Sequence, residues 1–266
     1  MKSTRLTLLL LLALPLCSAT LPRTFVSASG DDGADCSRDH PCQTFNIAVG
    51  KTTAGGEIDA IDRGDYGSVS IDRGITIDGG GFATITGYIQ ILGGASGSTV
   101  ILRNLSLNTV NSISTVAIHN FPVDILRLEH VVITGSAGAQ VGILCAGATC
   151  SLNDVRISNI RSGGGGVAVQ LAGGKLSLNN CNLANNDTAI SATAGVLEVD
   201  SSMIQSNTVG VSSASPATIR LSNTTVTGNT TGLTLSGSGA AIISYSNNRI
   251  FGNTTNGNPT LLTTQK

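Results

Sequence analysis

The chain has 266 residues, only 12% of them charged, and 15 Lys+Arg against 16 Asp+Glu give a formal net charge of −1. That balance leaves no polybasic field for gripping a phosphate backbone, which excludes nucleic acid as a partner. A hydrophobic content of 41% excludes a disordered chain, and a middle region dominated by Gly, Ser, Thr and Asn excludes a helix-rich one.

Residues 1–19 read as a secretory leader. Lys2 and Arg5 open it, residues 6–16 are apolar apart from Thr7 and Pro15, and Cys17-Ser18-Ala19 offers small residues for cleavage before Thr20. The run is shorter than the ~20 apolar residues of a membrane helix, and no later stretch is suited to crossing a bilayer as a helix. The mature chain is therefore expected to be soluble and secreted or periplasmic. Export permits disulfides. Cys36 and Cys42 flank one short loop, Cys145 and Cys150 another, and each pair is a candidate for local closure. Cys181 is then left over, and the plain expectation for it is a small buried hydrophobe.

Residues 20–56 form a lead-in and cap segment. Within it, residues 43–51 place Phe45, Ile47, Ala48 and Val49 where a short amphipathic helix would cover the first coil. Thr44 is its candidate N-cap, with the Cys36–Cys42 loop pinning it. Ten of the sixteen acidic residues fall between Asp31 and Asp78. Asp31, Asp32 and Asp35 are the candidate ligands for a hard cation such as Ca²⁺, although turn and cap chemistry accounts for the same residues. No other cofactor is expected. Arg63-Gly64-Asp65 spells an adhesive tripeptide, for which a turn is the better reading.

Residues 57–253 carry an internal repeat. Segments related to Leu102-Arg103-Asn104-Leu105-Ser106-Leu107 begin at Leu128, Leu152, Leu178, Val199, Leu221 and Tyr245, with spacings of 26, 24, 26, 21, 22 and 24. A less regular copy starts at Ile77. Two residues before each start stand Val100, Leu126, Cys150, Leu176, Leu197, Ile219 and Ile243. Five after it stand Leu107, Ile133, Ile157, Leu183, Ile204, Val226 and Ile250. Residues two apart in an extended strand share a face, so positions −2 and 0 form one inward pair and +3 and +5 another. Between them, at +2, lies a polar turn column: Asn104, His130, Asp154, Asn180, Ser201, Asn223 and Asn247. These residues suit left-handed backbone angles, and an Asn-rich ladder between coils is expected there. Ile190, Val211 and Leu233, twelve after their starts, begin a third apolar column.

Three short strands per repeat make one coil of a parallel β-solenoid, each coil covering the edge of the next. An antiparallel sandwich predicts alternation but not column identity at a fixed period, and a leucine-rich repeat would embed its asparagine in a different frame. Residues 254–266 break the repeat as a C-terminal cap and tail, with Leu261-Leu262 folding back on the last coil.

The opening Phe25-Val26-Ser27-Ala28-Ser29-Gly30-Asp31-Asp32, then Pro41-Cys42-Gln43-Thr44-Phe45, Gly55-Gly56-Glu57-Ile58-Asp59 and Gly64-Asp65-Tyr66-Gly67, resembles the lead-in of many bacterial β-helix proteins. The closing Ser244-Tyr245-Ser246-Asn247-Asn248-Arg249-Ile250-Phe251-Gly252-Asn253 is similar to the final coil of an uncharacterised bacterial group of that kind. The resemblance is to secreted right-handed parallel β-helix proteins of the pectate-lyase-like superfold. It implies an all-β, single-stranded right-handed parallel β-helix with a short N-terminal capping helix, and export. It does not imply chemistry, because this fold hosts lyases, hydrolases, adhesins and spacers alike.

Lyase chemistry in this superfold needs clustered acidic residues for Ca²⁺ and a basic residue as proton acceptor. The third-strand segments, where a groove is expected by analogy, offer only Gln170, Ser191, Ser212 and Thr234 as outward residues. Hydrolysis of the polygalacturonase type needs paired carboxylates, and the coils lack the N-T-D, D-D, G-H-G and R-I-K elements. The densest charged set in the coils is Arg103, Arg127, Glu129, His130, Asp154 and Arg156, placed on adjacent coils by the column alignment. These are the candidate ligand-binding residues, against the plain reading of exposed ion pairs worth about 0–1 kcal/mol each. His119 reads as packed or exposed without a role. The column at +4 is too irregular for ice binding, and the sequons at Asn186 and Asn223 matter only in a glycosylating host. The sequence therefore favours a secreted, non-catalytic β-helix surface module with weak binding of a polysaccharide or cell-surface glycan. The alternative is a lyase-like, polysaccharide-active enzyme using the charged patch.

Overall fold

The computed structural model describes residues 20–264 apart from 93–97, 110–115, 121–123, 137 and 139, and describes 116–120 by backbone alone. The leader lies outside the described residues, as does the His119 side chain. The repeated aliphatic columns wind into a parallel β-solenoid of about eight turns, with about 3% of the chain helical. Each coil contributes a strand to three faces.

Face A stacks segments such as 99–103, Ile125–Glu129, Thr149–Asn153, 175–179, 196–200, Thr218–Ser222 and Ala241–Tyr245. Leu102, Leu128, Leu152, Leu178, Val199 and Leu221 pair in unbroken succession there. All six are buried, since inward side chains of successive coils meet at the inter-strand spacing and close the interior to water. Face B stacks Val132–Thr134, Arg156–Ser158, Asn182–Ala184, Met203–Gln205, Thr225–Thr227 and Arg249–Phe251. On face C, Val169, Ile190, Val211 and Leu233 pair as the third buried column, with Gln170, Ser191, Ser212 and Thr234 in register beside them.

The turn between faces A and B holds Asn104, His130, Asp154, Asn180, Ser201 and Asn223 at φ between 47° and 55°. This is the left-handed region that the polar column requires. The expected amide ladder is not continuous at this turn. Side-chain rungs join Asn104 to Asp78 and Asn223 to Asn247. In the middle coils, backbone bonds bridge the turn instead, such as His130 N–H to the Asn153 carbonyl at 3.0 Å and Asp154 N–H to that of Asn179 at 3.1 Å. The continuous ladder stands one turn later, between faces B and C. Asn186, Asn207, Asn229 and Asn253 form it, each accepting the N–H and the side-chain amide of its predecessor where that predecessor is an asparagine. A second polar ladder runs beneath face B. Ser202 accepts from Cys181 N–H, Thr224 from Ser202 N–H and Asn248 from Thr224 N–H. Cys181 is free and buried where this column changes from Val131 and Val155 to polar residues, and burial pushes its thiol up to about 11.

The last coil departs from the sequence alignment by one residue. Leu221 pairs with Ser244 rather than Tyr245. Ile242 and Ser244 are buried where Ile243 and Tyr245 were expected, and Tyr245 turns outward. Face B nevertheless keeps Val226 opposite Ile250, so the extra residue is absorbed in the turn. Asn248 fills the gap there, donating to the Leu221 and Tyr245 carbonyls and to Ser244 Oγ.

At the N-terminal end the helix Phe45–Lys51 is capped by Thr44, whose hydroxyl accepts from Ile47 N–H at 3.3 Å. Phe45, Ala48 and Val49 are buried, and the Phe45 ring lies 5.0 Å from that of Tyr66. The strand Leu21–Val26 pairs with Thr52–Ala60. Its other side is covered by the loop that the Cys36–Cys42 disulfide closes, and Lys51 Nζ donates to the Asp32 and Ala34 carbonyls in the segment just before that loop. Cys145 and Cys150 form the second disulfide. Replacing Cys36 and Cys42 together with serine removes a constraint on a short loop, and an unfolding free energy lower by about 2 kcal/mol is expected. Urea unfolding checks this, and a midpoint equal to that of the parent chain argues against it.

Candidate functional site

The six charged candidates come to lie around the corner between faces A and B. Arg103, Arg127 and Glu129 point outward from face A, with Glu129 in register beside Arg103 and Arg127 beside Ser151. His130 and Asp154 occupy successive turns, with His130 Nε2 3.7 Å from Asp154 Oδ2. Arg156 is exposed on face B between Val132 and Asn182.

Arg103 is the member least free to meet a ligand. Its Nη2 bonds Glu57 Oε1 at 2.6 Å and its Nε bonds Asp78 Oδ2 at 2.7 Å. The Asp78 carboxylate raises the Arg103 pKa by hydrogen bond and charge. Burial would raise that of Asp78, but the Asn104 amide, the Gly80 N–H and Arg103 together hold it below the usual carboxylate range. Glu57, Asp59 and Asp78 are the group of three acidic residues, among the described residues, whose oxygens lie within 4.8 Å of one another. Arg103 and Arg23, the latter bonded to Asp59, supply the counter-charge, so this cluster is an ion-pair network.

Asp31, Asp32 and Asp35 do not converge in this way. Asp31 accepts Gly33 N–H, Asp35 accepts Ser37 N–H, and Asp32 accepts the N–H groups of Gln43 and Thr44 together with the Thr44 hydroxyl. The Ser37 bonds hold the Asp35 carboxyl below its ordinary range. These three residues perform turn and helix-entry chemistry, which is the reading weighed beside Ca²⁺.

Asp154 and Arg156 are brought together in a groove of about 360 Å³ on the face B side of the corner, shared with Asn180, Asn182, Ser201 and Asn223. Asn182 contributes its Oδ1, a buried atom with no hydrogen-bond partner. A buried acceptor without a donor costs about 1–3 kcal/mol, and this cost sits in the wall of the groove.

On the face A side of the same corner lies a second groove, of about 390 Å³, lined by Ser177, Asn179, Glu198, Asp200, Arg220 and Tyr245 among others. An adjoining hollow of about 390 Å³ extends it past Lys175 and Thr149. Arg220 Nη1 lies 3.4 Å from Glu198 Oε1. Asp200 accepts from the Ser201 hydroxyl at 3.0 Å and from the Asn223 amide at 3.3 Å. Reading the charged residues of the early coils missed this groove. Its signal was available in the outward positions −1 and +1 of the later coils, which carry Ser177, Asn179, Glu198, Asp200 and Arg220. Tyr245 was hidden by the shift of the last coil.

No protein-family model matches this chain, and neither a search of curated proteins nor one of solved structures finds a match.

Proposed function

We propose that this chain is an exported, non-catalytic β-helix surface module that binds a polysaccharide or cell-surface glycan weakly through the grooves flanking the A–B corner. The observation that carries the reading is a groove whose lining is chiefly amides, hydroxyls, a carboxylate and an arginine, with Asp154, Arg156, Asn180, Asn182 and Ser201 among them. Sugar hydroxyls both donate and accept, as such a lining requires, and Tyr245 in the neighbouring groove offers an apolar ring face to a pyranose. The grooves are open rather than enclosing, which suits dissociation constants in the millimolar range, about −4 kcal/mol. Two disulfides support an oxidising compartment, in keeping with the leader read in residues 1–19. The parallel solenoid supports assignment to the pectate-lyase-like superfold.

The test is a titration of the protein against acidic and neutral polysaccharides, with and without Ca²⁺. Saturable binding is expected, weakened about tenfold by Asn182→Leu and by Arg156→Ala, in keeping with loss of one well-placed polar contact. Absence of both saturable binding and turnover sinks the reading. One observation favours a second reading, a lyase-like enzyme: His130 Nε2 lies 3.7 Å from Asp154 Oδ2, and Asp154 shares its groove with Arg156. In it, His130 takes the proton α to a uronate carboxylate held by Arg156, the C–H electron pair becomes a C=C bond as the C–O bond at the β carbon breaks, and the departing glycosidic oxygen takes a proton from water. Unsaturated product that disappears in His130→Ala would establish this reading in place of the first.

A further inference from the structure

The asparagine ladder between faces B and C ends on Asn256. Asn253 donates its N–H at 3.3 Å and its side-chain amide at 3.0 Å to Asn256 Oδ1, and the Asn256 carbonyl accepts Leu233 N–H at 2.9 Å. Asn256 is nonetheless exposed. Its successor is Gly257, and this is the only Asn-Gly pair in the sequence.

The side-chain amide of an asparagine is open to attack by the main-chain nitrogen of the next residue, provided that nitrogen is free and uncrowded. Glycine crowds it least, since it carries no side chain. At the other rungs of the ladder this nitrogen is tied up and followed by a larger residue. Asp187 N–H donates to the Ile160 carbonyl at 3.0 Å, Thr208 N–H to that of Asn186 at 3.1 Å, Thr230 N–H to that of Asn207 at 3.0 Å and Thr254 N–H to that of Asn229 at 3.0 Å. Gly257 N–H has no acceptor among the described residues. The two donors on Asn256 Oδ1 also polarise the carbonyl that would be attacked. Asn258, which is exposed as well, is followed by Pro259 and so by no N–H at all.

We propose that Asn256 is a site of spontaneous deamidation, left open by the fold at the end of a ladder whose other rungs it protects, and that the conversion releases the last rung. Hydroxide takes the Gly257 proton and the nitrogen bonds to Asn256 Cγ. The Cγ–Nδ2 bond breaks, and the departing nitrogen takes a proton from water and leaves as ammonia. Water then opens the cyclic imide at either carbonyl. Opening at Cγ leaves aspartate, which keeps Oδ1 as an acceptor. Opening at the main-chain carbonyl leaves isoaspartate, in which the chain runs through Cγ and is one carbon longer. The carbonyl that met Leu233 becomes a free carboxylate, and the one that met Asn253 becomes part of the main chain. The bonds from Leu233 and Asn253 then no longer fit together, so the ladder loses its cap.

The purified protein is aged at physiological temperature near neutral pH and, in parallel, at mildly acidic pH, and peptide maps with isoaspartate detection follow each asparagine. Conversion at Asn256 is expected to run about tenfold or more faster than at Asn186, Asn207, Asn229 and Asn253, and to slow in acid, where hydroxide is scarce. Amide exchange at Leu233 and Asn253 speeds up in the sample aged near neutral pH and holds steady in the acid-held one when both are compared at one pH. Asn256→Gln, whose longer side chain closes its ring far more slowly, keeps its exchange with age. The acid-held parent serves as the same control without any substitution, which guards against a variant that packs badly. Conversion at Asn256 no faster than within the ladder, or exchange at Leu233 and Asn253 that is unmoved once isoaspartate has formed, overturns the proposal.

Discussion

Asn207→Ala lowers the unfolding free energy by about 4 kcal/mol, a large part of the ~5–15 kcal/mol that holds a typical domain. The Asn207 side chain is 3% exposed and sits in the middle of the ladder. Its Oδ1 accepts Asn186 N–H at 2.9 Å and the Asn186 amide at 3.0 Å. Its Nδ2 donates to the Leu183 and Gln205 carbonyls and to Asn229 Oδ1. Alanine removes all five bonds and leaves their partners dry, because the coils above and below still exclude water. Each orphaned buried group costs about 1–3 kcal/mol, partly relieved by relaxation. The break also falls between coils, where a stack of nearest-neighbour units is weakest. The last coils should therefore open first, with faster amide exchange at Asn186 and Asn229 before global urea unfolding. Asn223→Ala, at an exposed turn, serves as the comparison. Equal urea midpoints for the two variants would show that the ladder does not carry the coils.

Much of this architecture was legible in the sequence because the interior constrains it so tightly. Leu102, Leu128, Leu152 and Leu178 must recur where each coil meets the next, and the spacing between them records the path length of a coil. The αL turn was legible for a similar reason, since Asn104, Asp154 and Asn180 are among the few residue types that adopt it readily. The continuous ladder was harder to see. Its asparagines are preceded by Asn185, Ser206, Gly228 and Gly252, all at positive φ but chemically mixed, so no single column advertises the turn. Asn186, Asn229 and Asn253 also open Asn-x-Ser/Thr triplets. Read as glycosylation signals, these hide a packing role, and a glycan on the fully buried Asn186 is incompatible with the folded ladder. The grooves were least legible. Outward side chains on faces A and B face solvent, which imposes no common size or polarity, so Ser177, Glu198 and Arg220 form no repeating signature. The position of Tyr245 depends on one extra residue in the last turn, and an alignment that maximises apolar columns places that residue on the wrong side.

Asp187→Asn is expected to lower stability by about 2 kcal/mol at neutral pH, and Asp187→Ala by about 3–4 kcal/mol, from the strength of hydrogen bonds to a charged acceptor. Asp187 is 6% exposed. Its Oδ2 accepts N–H groups from Ser162 at 2.8 Å, Gly164 at 2.9 Å and Gly166 at 3.0 Å, drawing a glycine-rich loop around one oxygen. Gly163 and Gly164 curl at φ of 74° and 113°, angles that a side chain at either position would strain. Burial pushes the Asp187 carboxyl up, but the three N–H donors and the nearby Arg161 more than offset it and hold the group below the ordinary carboxylate range. The sign of the pH dependence follows. With the folded pKa below the unfolded one, the ionised group adds stability that is complete above about pH 4. That stability is lost as pH falls through the lowered folded value. Asparagine keeps an acceptor of the same shape and cannot titrate. The gap between parent and Asp187→Asn should therefore be widest at pH 7 and close as the solution is acidified toward roughly pH 2.5. Urea midpoints at the two pH values measure it, and amide exchange at residues 162–166 reports whether the loop loosens first. A gap that is the same at both pH values would mean that the charge on Asp187 does nothing for the loop and that only its shape matters.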